Sequence, residues 1–292
     1  TIGLGSVTYP MMAYGWDSIP ERQQILIKDA TVWTNEAEGV LKETDVLIQD
    51  GKIKSIGNIL DVVDANTIII DGKGKHVTPG IVDEHSHIAV SRGINESGQA
   101  SSAEVSIATT VNSDDVNIYR QLAGGVTSAQ LLHGSANPIG GQSAIIKMRW
   151  GWMPEQMKYD SMPQFIKFAL GENVKQSNWG DHNTIRFPQS RMGVEQVYYD
   201  HFIRAKEYDD EWRAYGLAMT KKKKNQVIPE PRRDLELDAL AEILNKERFI
   251  SCHSYVQSEI NMLMKVADSM GFTLNTFTHI LEGYKVADKM KA

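Results

Sequence analysis

A chain of 292 residues that is 41% hydrophobic and 23% charged has the make-up of a soluble globular protein with a sizeable core. Its net charge of −6 leaves no footprint for nucleic acid, and no apolar run approaches the ~20 residues that span a bilayer. Cys252 is the single cysteine and excludes an internal disulfide, and the chain starts at Thr1 rather than Met, so a cytoplasmic protein or an exported, processed one both fit.

Residues 1–24, rich in Gly, Pro, Tyr and Met without periodicity, predict an extended arm. Short β-like runs follow over 25–78: Ile25-Leu26-Ile27, Ala30 to Trp33, Asp45 to Ile48, Ile53 to Ile56 and Thr67 to Ile70. Asp50-Gly51 between two of them is a hairpin cue. This stretch predicts a small antiparallel β unit. Next comes Gly80-Ile81-Val82-Asp83-Glu84-His85-Ser86-His87, with Ile81 and Val82 read as the buried part of a strand. Strand side chains alternate between faces, so His85 and His87 project together, as they would to begin a divalent-metal site. Two surface histidines beside a turn are the plain alternative.

Beyond His87 strands alternate with helices. A polar, Ser-rich loop spans 91–115, and Asp114 to Ala123 predicts a helix stopped by Gly124-Gly125. Val126 to Leu132, ending at His133, is a second strand; Ser143 to Met148 is a third and Gln164 to Leu170 a fourth. Val194, Val197, Tyr198, Phe202, Ala205 and Tyr208 give a long amphipathic helix, and Lys221 to Lys224 a solvated loop after it. Leu237 to Leu244 is a helix capped by Asp234 or Asp238, and Phe249 to His253 is a fifth strand. A helix from Ser258 to Met270, with a Ser N-cap and Gly271 at its end, precedes a sixth strand, Phe272 to His279. Such alternation implies an α/β fold with a parallel sheet and right-handed crossovers.

Three of these strands end in histidine: His85/His87, His253 and His279. In a (β/α)8 barrel the strand C-termini converge, so four histidines there favour a metal centre over satisfied core residues. Neutral imidazoles under-compensate a dication, and an anionic ligand is wanted. Lys167, inside the apolar run Ile166-Lys167-Phe168, is costly as an ammonium but becomes an anion if carboxylated. Glu172 competes for that role, with Lys147 a third option. His133 is a candidate catalytic donor or a solvated strand-end residue. Asn137, Gln142 and Tyr255 are candidate polar contacts, and Trp179, Asp181, His182 and Arg186 lie on a loop placed to hold substrate.

These residues resemble the amidohydrolase superfamily, and more narrowly its imidazolonepropionase-like members. Pro79 to His87 fits Pro-Gly-x-x-Asp-x-His-x-His, Leu122 to Thr127 resembles the family's approach to its second strand, and Phe277 to Gly283 its sixth-strand histidine motif. The resemblance runs from about residue 25 to the end. It implies a TIM-barrel-type metal-dependent hydrolase over 79–292 behind a small β-sandwich part at 25–78. His85, His87, Lys167 (carboxylated) or Glu172, His253 and His279 would bind one or two divalent metal ions, zinc foremost. The implied reaction is hydrolysis of an amide C–N bond in a small molecule: a dipeptide-like, N-acyl amino acid or cyclic amide substrate. A deaminase on the same barrel and a catalytically silent scaffold are the alternatives. Thirteen residues follow His279, with no counterpart of the family's eighth-strand aspartate. The expectation is therefore the first six β/α units of a barrel incomplete at its C-terminus, with a homo-oligomeric copy or a complementing C-terminal segment as partner.

Overall fold

The structure, a computed structural model, describes residues 5, 7–12, 14–58, 64–159, 161–176, 179–180 and 186–292. The chain divides into two compact units, residues 1–81 with 124–127, and residues 82–123 with 128–292.

In the first unit β1 (Ile25–Trp33), β2 (Val40–Gln49) and β3 (Lys52–Gly57) form an antiparallel meander. The β2–β3 connection is Asp50-Gly51, at φ 54° and 73°. Both positions are left-handed, as a two-residue type I′ hairpin requires. On the other edge of β1 lie β4 (Ile68–Asp71) and β5 (His76–Val77), and both run parallel to it. The expected all-antiparallel unit is corrected here: Ile68, Ile69 and Ile70 register on Ile25, Leu26 and Ile27, pairing two apolar runs on the edge that the meander leaves open. Ala30, Val32 and Val46 form the small core of this five-stranded sheet.

The site-bearing strands begin with β6 (Ile81–Ser86) and β7 (Val126–Leu131), separated by helix α1 (Val116–Ala123). Ile81 N donates to Gly125 O and Leu132 N to Ser86 O, offsets that rise together as in a parallel pair. Then the direction changes. β8 (Ile139–Gln142) pairs antiparallel with β10 (Gln164–Ala169), and β9 (Ala144–Lys147) pairs antiparallel with β7. Residues 139–147 thus cross from one sheet to the other, with Ser143 between the halves donating its N–H to Phe165 O. The expected third parallel strand is reversed. The cause is the connection: residues 132–138 hold no helix, and a parallel return needs a crossover of about a dozen residues or more. After β10 the expected alternation resumes, and β11 (Arg248–His253) and β12 (Thr276–Thr278) continue parallel to it.

Between β9 and β10 lies the single turn α2 (Pro154–Met157), and between β10 and β11 come α3 (Arg191–Thr220) and α4 (Leu235–Leu244). α3 is capped by Ser190, whose hydroxyl accepts from Gly193 N, and α4 by Asp234, whose carboxylate accepts from Glu236 N and Leu237 N. α5 (Gln257–Met270) lacks the expected Ser258 cap: its first N–H instead donates to Glu282 Oε2 at 3.0 Å, and Gly271 closes it at φ 86°. The last element is α6 (Ala287–Lys291). The core of this unit joins Ile166, Phe168 and Ile250 of the sheet to Val197, Tyr198 and Phe202 of α3, Leu240 of α4 and Leu263 of α5. Ile81 and Val82, expected to be buried, are 56% and 64% exposed. An apolar pair before a motif signals a strand, not which face is covered. Among the described residues no helix is long and apolar enough to cross a membrane.

Candidate metal centre

β10, β11 and β12 run parallel, so His253 and His279 come to the same edge near Lys167 of β10, and the end of β6 brings His85 and His87 to them. His85 Nε2 lies 3.3 Å from His87 Nε2 and 3.2 Å from Lys167 Nζ. His253 Nδ1 lies 3.1 Å from His279 Nε2, and the His85 and His279 rings approach to 5.1 Å between centroids. Five of the sequence-derived candidates therefore share one cluster. Among the described residues no three His, Cys, Asp or Glu side chains are grouped so that they could hold a metal ion; the nitrogens meet in pairs with a lysine. The spacing of those pairs suits an ion. Nitrogens at 2.0–2.1 Å from one tetrahedral zinc stand about 3.3 Å apart.

Protonation favours the same use. Burial pushes the pKa of both His85 and His253 down to about 3, assisted at His85 by Lys167, His87 and His279 and at His253 by His279 and Lys167. Burial also lowers His87 and His279. All four imidazoles are neutral at pH 7 and offer lone pairs. His87 Nδ1 lies 2.9 Å from Leu132 O, which only accepts, so the proton sits on Nδ1 and Nε2 carries the lone pair. His253 Nε2 is buried with no hydrogen-bond partner among the described residues. His279 holds a left-handed backbone, φ 37°, a strained conformation for a residue with a Cβ and one that functional sites retain.

Lys167 is fully buried, and burial brings its pKa down to about 8. Among the described residues its amine makes a hydrogen-bonding contact with His85 Nε2 at 3.2 Å. Glu172 is placed elsewhere: it pairs with Lys175 at 2.7 Å and Arg191 at 3.1 Å, on the exposed side of the strand end. Lys147 sits over the Tyr159 ring, 4.3 Å from its centroid. Of the three anion candidates, the structure brings Lys167 alone to the histidines.

His133 is buried, and its two nitrogens serve the backbone. Nδ1 lies 2.9 Å from Gly134 O, and Nε2 accepts from Glu96 N at 2.7 Å. A Cβ on Gly140 would come within 2.9 Å of the ring, so the imidazole is hemmed in. In this structure both nitrogens are engaged, and the ring braces the 94–99 loop. Asn137 Nδ2 donates to Glu96 O and Gln99 O, and Gln142 Nε2 to Ala103 O. Arg186 gives its guanidinium to three backbone carbonyls, Ser97 O, Ala136 O and Phe187 O. Trp179 Nε1 donates to Asn173 O; Asp181 and His182 lie outside the described residues. Tyr255 does reach the centre, its ring 4.6 Å from that of His253 and 5.3 Å from that of His279.

Sequence reading missed the support under this cluster. Glu259 Oε1 accepts from Gly171 N at 3.2 Å and from Arg191 Nε at 2.9 Å, tying the end of β10 and the start of α3 to the first turn of α5. The only sequence signal was a glutamate beside the buried face of an amphipathic helix, which also reads as a helix-dipole residue.

Parallel strands packed under helices, with nitrogen donors gathered near their ends, define an α/β fold. No protein-family model matches the chain. It is 31% identical to an amidohydrolase from Thermotoga maritima MSB8, whose crystal structure superposes with a TM-score of 0.71 over 91% of this chain and 66% of that one. Amidohydrolase tasK of Hapsidospora irregularis is 28% identical over 90% of this chain, which spans 30% of that relative's length. A shorter match, 48% identical over 63 residues, covers 21% of this chain and 14% of the dihydroorotase of Ligilactobacillus salivarius. The chain belongs to the amidohydrolase superfamily.

Proposed function

We propose that the chain carries the metal centre of a hydrolase that cleaves an amide C–N bond through an activated water. The observation that carries this reading is the approach of nitrogens from His85, His87, Lys167, His253 and His279 at 3.1–3.3 Å within each group. The neutral imidazoles and the unpartnered His253 Nε2 fit one or two divalent ions, with zinc the natural occupant of an all-nitrogen set. Such an ion, when bound, supplies Lewis acidity and a water whose pKa is brought towards ~7.

The protein's own groups do the rest. Leu132 O holds the His87 ring in the orientation and tautomer that present Nε2. Lys167, with a pKa near 8, keeps a fraction of free amine at neutral pH. That amine adds to carbon dioxide, forming an N–C bond and releasing one proton, and becomes the anionic carbamate that offsets the ion's charge. Tyr255, edge-on to the His253 ring and tilted against that of His279, borders the space a substrate would take. His133, Asn137 and Arg186 fix the 94–99 loop beside it. The substrate class we favour is a dipeptide-like, N-acyl amino acid or cyclic amide. A deaminase reading also has support: 78 residues are 40% identical to the 5'-deoxyadenosine deaminase of Methanosphaera stadtmanae, covering 26% of this chain and 17% of that enzyme.

Two measurements test this. Metal analysis of the purified chain should find a transition metal that His85→Ala loses; unchanged metal content in that variant would remove the reading. A hydrolysis panel of dipeptides, N-acyl amino acids, cyclic amides and aminopurines, run on the full-length protein, separates amide hydrolysis from deamination. Bound metal without turnover on any of them would support the silent scaffold.

A further inference from the structure

Just beyond His87 the chain turns back on itself. Ala89, fully buried, sits at φ 56°, a left-handed conformation that a residue with a Cβ seldom adopts. Its N–H donates to Asp115 Oδ2 at 2.7 Å, and its carbonyl accepts from Asn112 N at 2.7 Å. From there Val90 bridges Val111 and Ser91 N donates to Thr110 O, so the backbone leaves the histidine cluster at once. Asp115 directly precedes α1, and its other oxygen, Oδ1, accepts from Asn117 N and Asn117 Nδ2, each at 2.9 Å.

The residue type at 115 has a chemical reason. Ala89 approaches one oxygen and Asn117 the other, and a carboxylate has two acceptor oxygens where an amide has one. Asparagine would cap the helix equally well. It could not hold Ala89 at the same time. His87 needs an anchor of this kind, because it is exposed and packing does not fix its ring. On one side β7 grips it: Leu132 N donates to Ser86 O, and Leu132 O accepts from His87 Nδ1. On the other side the grip is the one Asp115 has on Ala89.

We propose that Asp115 is a positioning residue for His87. By holding Ala89 left-handed, its carboxylate fixes the backbone after His87, so that the ring meets Leu132 O and turns Nε2 towards the other donors. The purpose of this restraint rests on the metal-centre reading above, but the restraint itself is present without an ion.

Asp115→Asn, alone and combined with Ala89→Gly, tests it. Glycine takes a left-handed φ without a Cβ penalty, so it removes the need for the carboxylate at 89 and leaves the capping of α1 as it was. Asp115→Asn should bind zinc about 10–100-fold more weakly, measured by competition with a chelating dye. Cobalt bound in its place should give an altered visible spectrum. The double variant should recover most of both. In the metal-free chain labelled with 15N-histidine, the His87 Nδ1 proton, assigned with His87→Gln, should exchange with water faster in Asp115→Asn and slow again in the double variant. Unchanged exchange in Asp115→Asn, unchanged zinc affinity where the parent binds zinc, or losses that Ala89→Gly leaves in place would each overturn the proposal. A parent that binds no zinc but shows the expected exchange pattern would overturn the metal-centre reading and support the restraint on His87.

Discussion

Lys167 shows what a single side chain decides at this site. Its amine is buried beside His85 and no carboxylate among the described residues pairs with it, an arrangement that costs stability unless it serves binding. Lys167→Met keeps the volume and removes the amine. Metal content should fall to background while the metal-free melting temperature holds or rises; a variant that keeps its metal would show that the amine is no ligand. A second residue-level effect lies outside the cluster, at His201. Burial opposes its imidazolium, but the hydrogen bond to Glu236 at 3.3 Å and the Val197 carbonyl outweigh it, and its folded pKa is raised. The pair's stabilisation is therefore complete below the unfolded value of ~6.5 and is lost as pH rises through the folded one. Urea melts either side of that step should show His201→Asn less stable by about 0.5–1 kcal/mol at the lower pH and equal to the parent at the higher. The ligand candidates were legible because two-residue alternation and a lysine in an apolar run are local signals. The bracing of His133 was not, since its partner Glu96 N comes from 37 positions away.

Elements meet more closely than sequence patterns reveal. Gly80 precedes β6 and packs on Thr127 of β7, where a Cβ would collide with the threonine side chain. The two stretches that resemble family motifs thus touch each other, and the glycine is needed for that approach. Gly80→Ala should cost roughly 1–3 kcal/mol in chemical denaturation, and adding Thr127→Gly should recover part of the loss; additive losses would rule the contact out as the cause. Strand existence at β6, β7, β10 and β11 was legible from apolar runs and flanking turns. The reversal of β8 and β9 was not, because periodicity carries no direction. Only the helix-free connection at 132–138 hinted at it. Similarly, Asp50-Gly51 announced its hairpin through its own φ requirement, whereas the parallel pairing of β4 on β1 depends on which edge is left open.

At the scale of the molecule, apolar surface and the long reach of the site matter most. Ile53, Ile56, Ile68, Ile69 and Ile70 of the first unit are exposed on β3 and β4, an apolar strand surface of the kind that promotes association. Ile53→Thr with Ile69→Thr should slow aggregation on warming, followed by light scattering, without changing metal content. The chain spans about two thirds of the solved amidohydrolase it matches and under a third of the curated one. The donors themselves are drawn from positions 85, 87, 167, 253 and 279. Order of synthesis then becomes part of the chemistry. A ribosome that has released the chain only as far as α4 has exposed His85, His87 and Lys167 but neither histidine of the second pair. If the proposed centre holds an ion, capture at full strength would wait for His279, and the metal would reward only chains that have folded through that residue, a late proofreader of the fold.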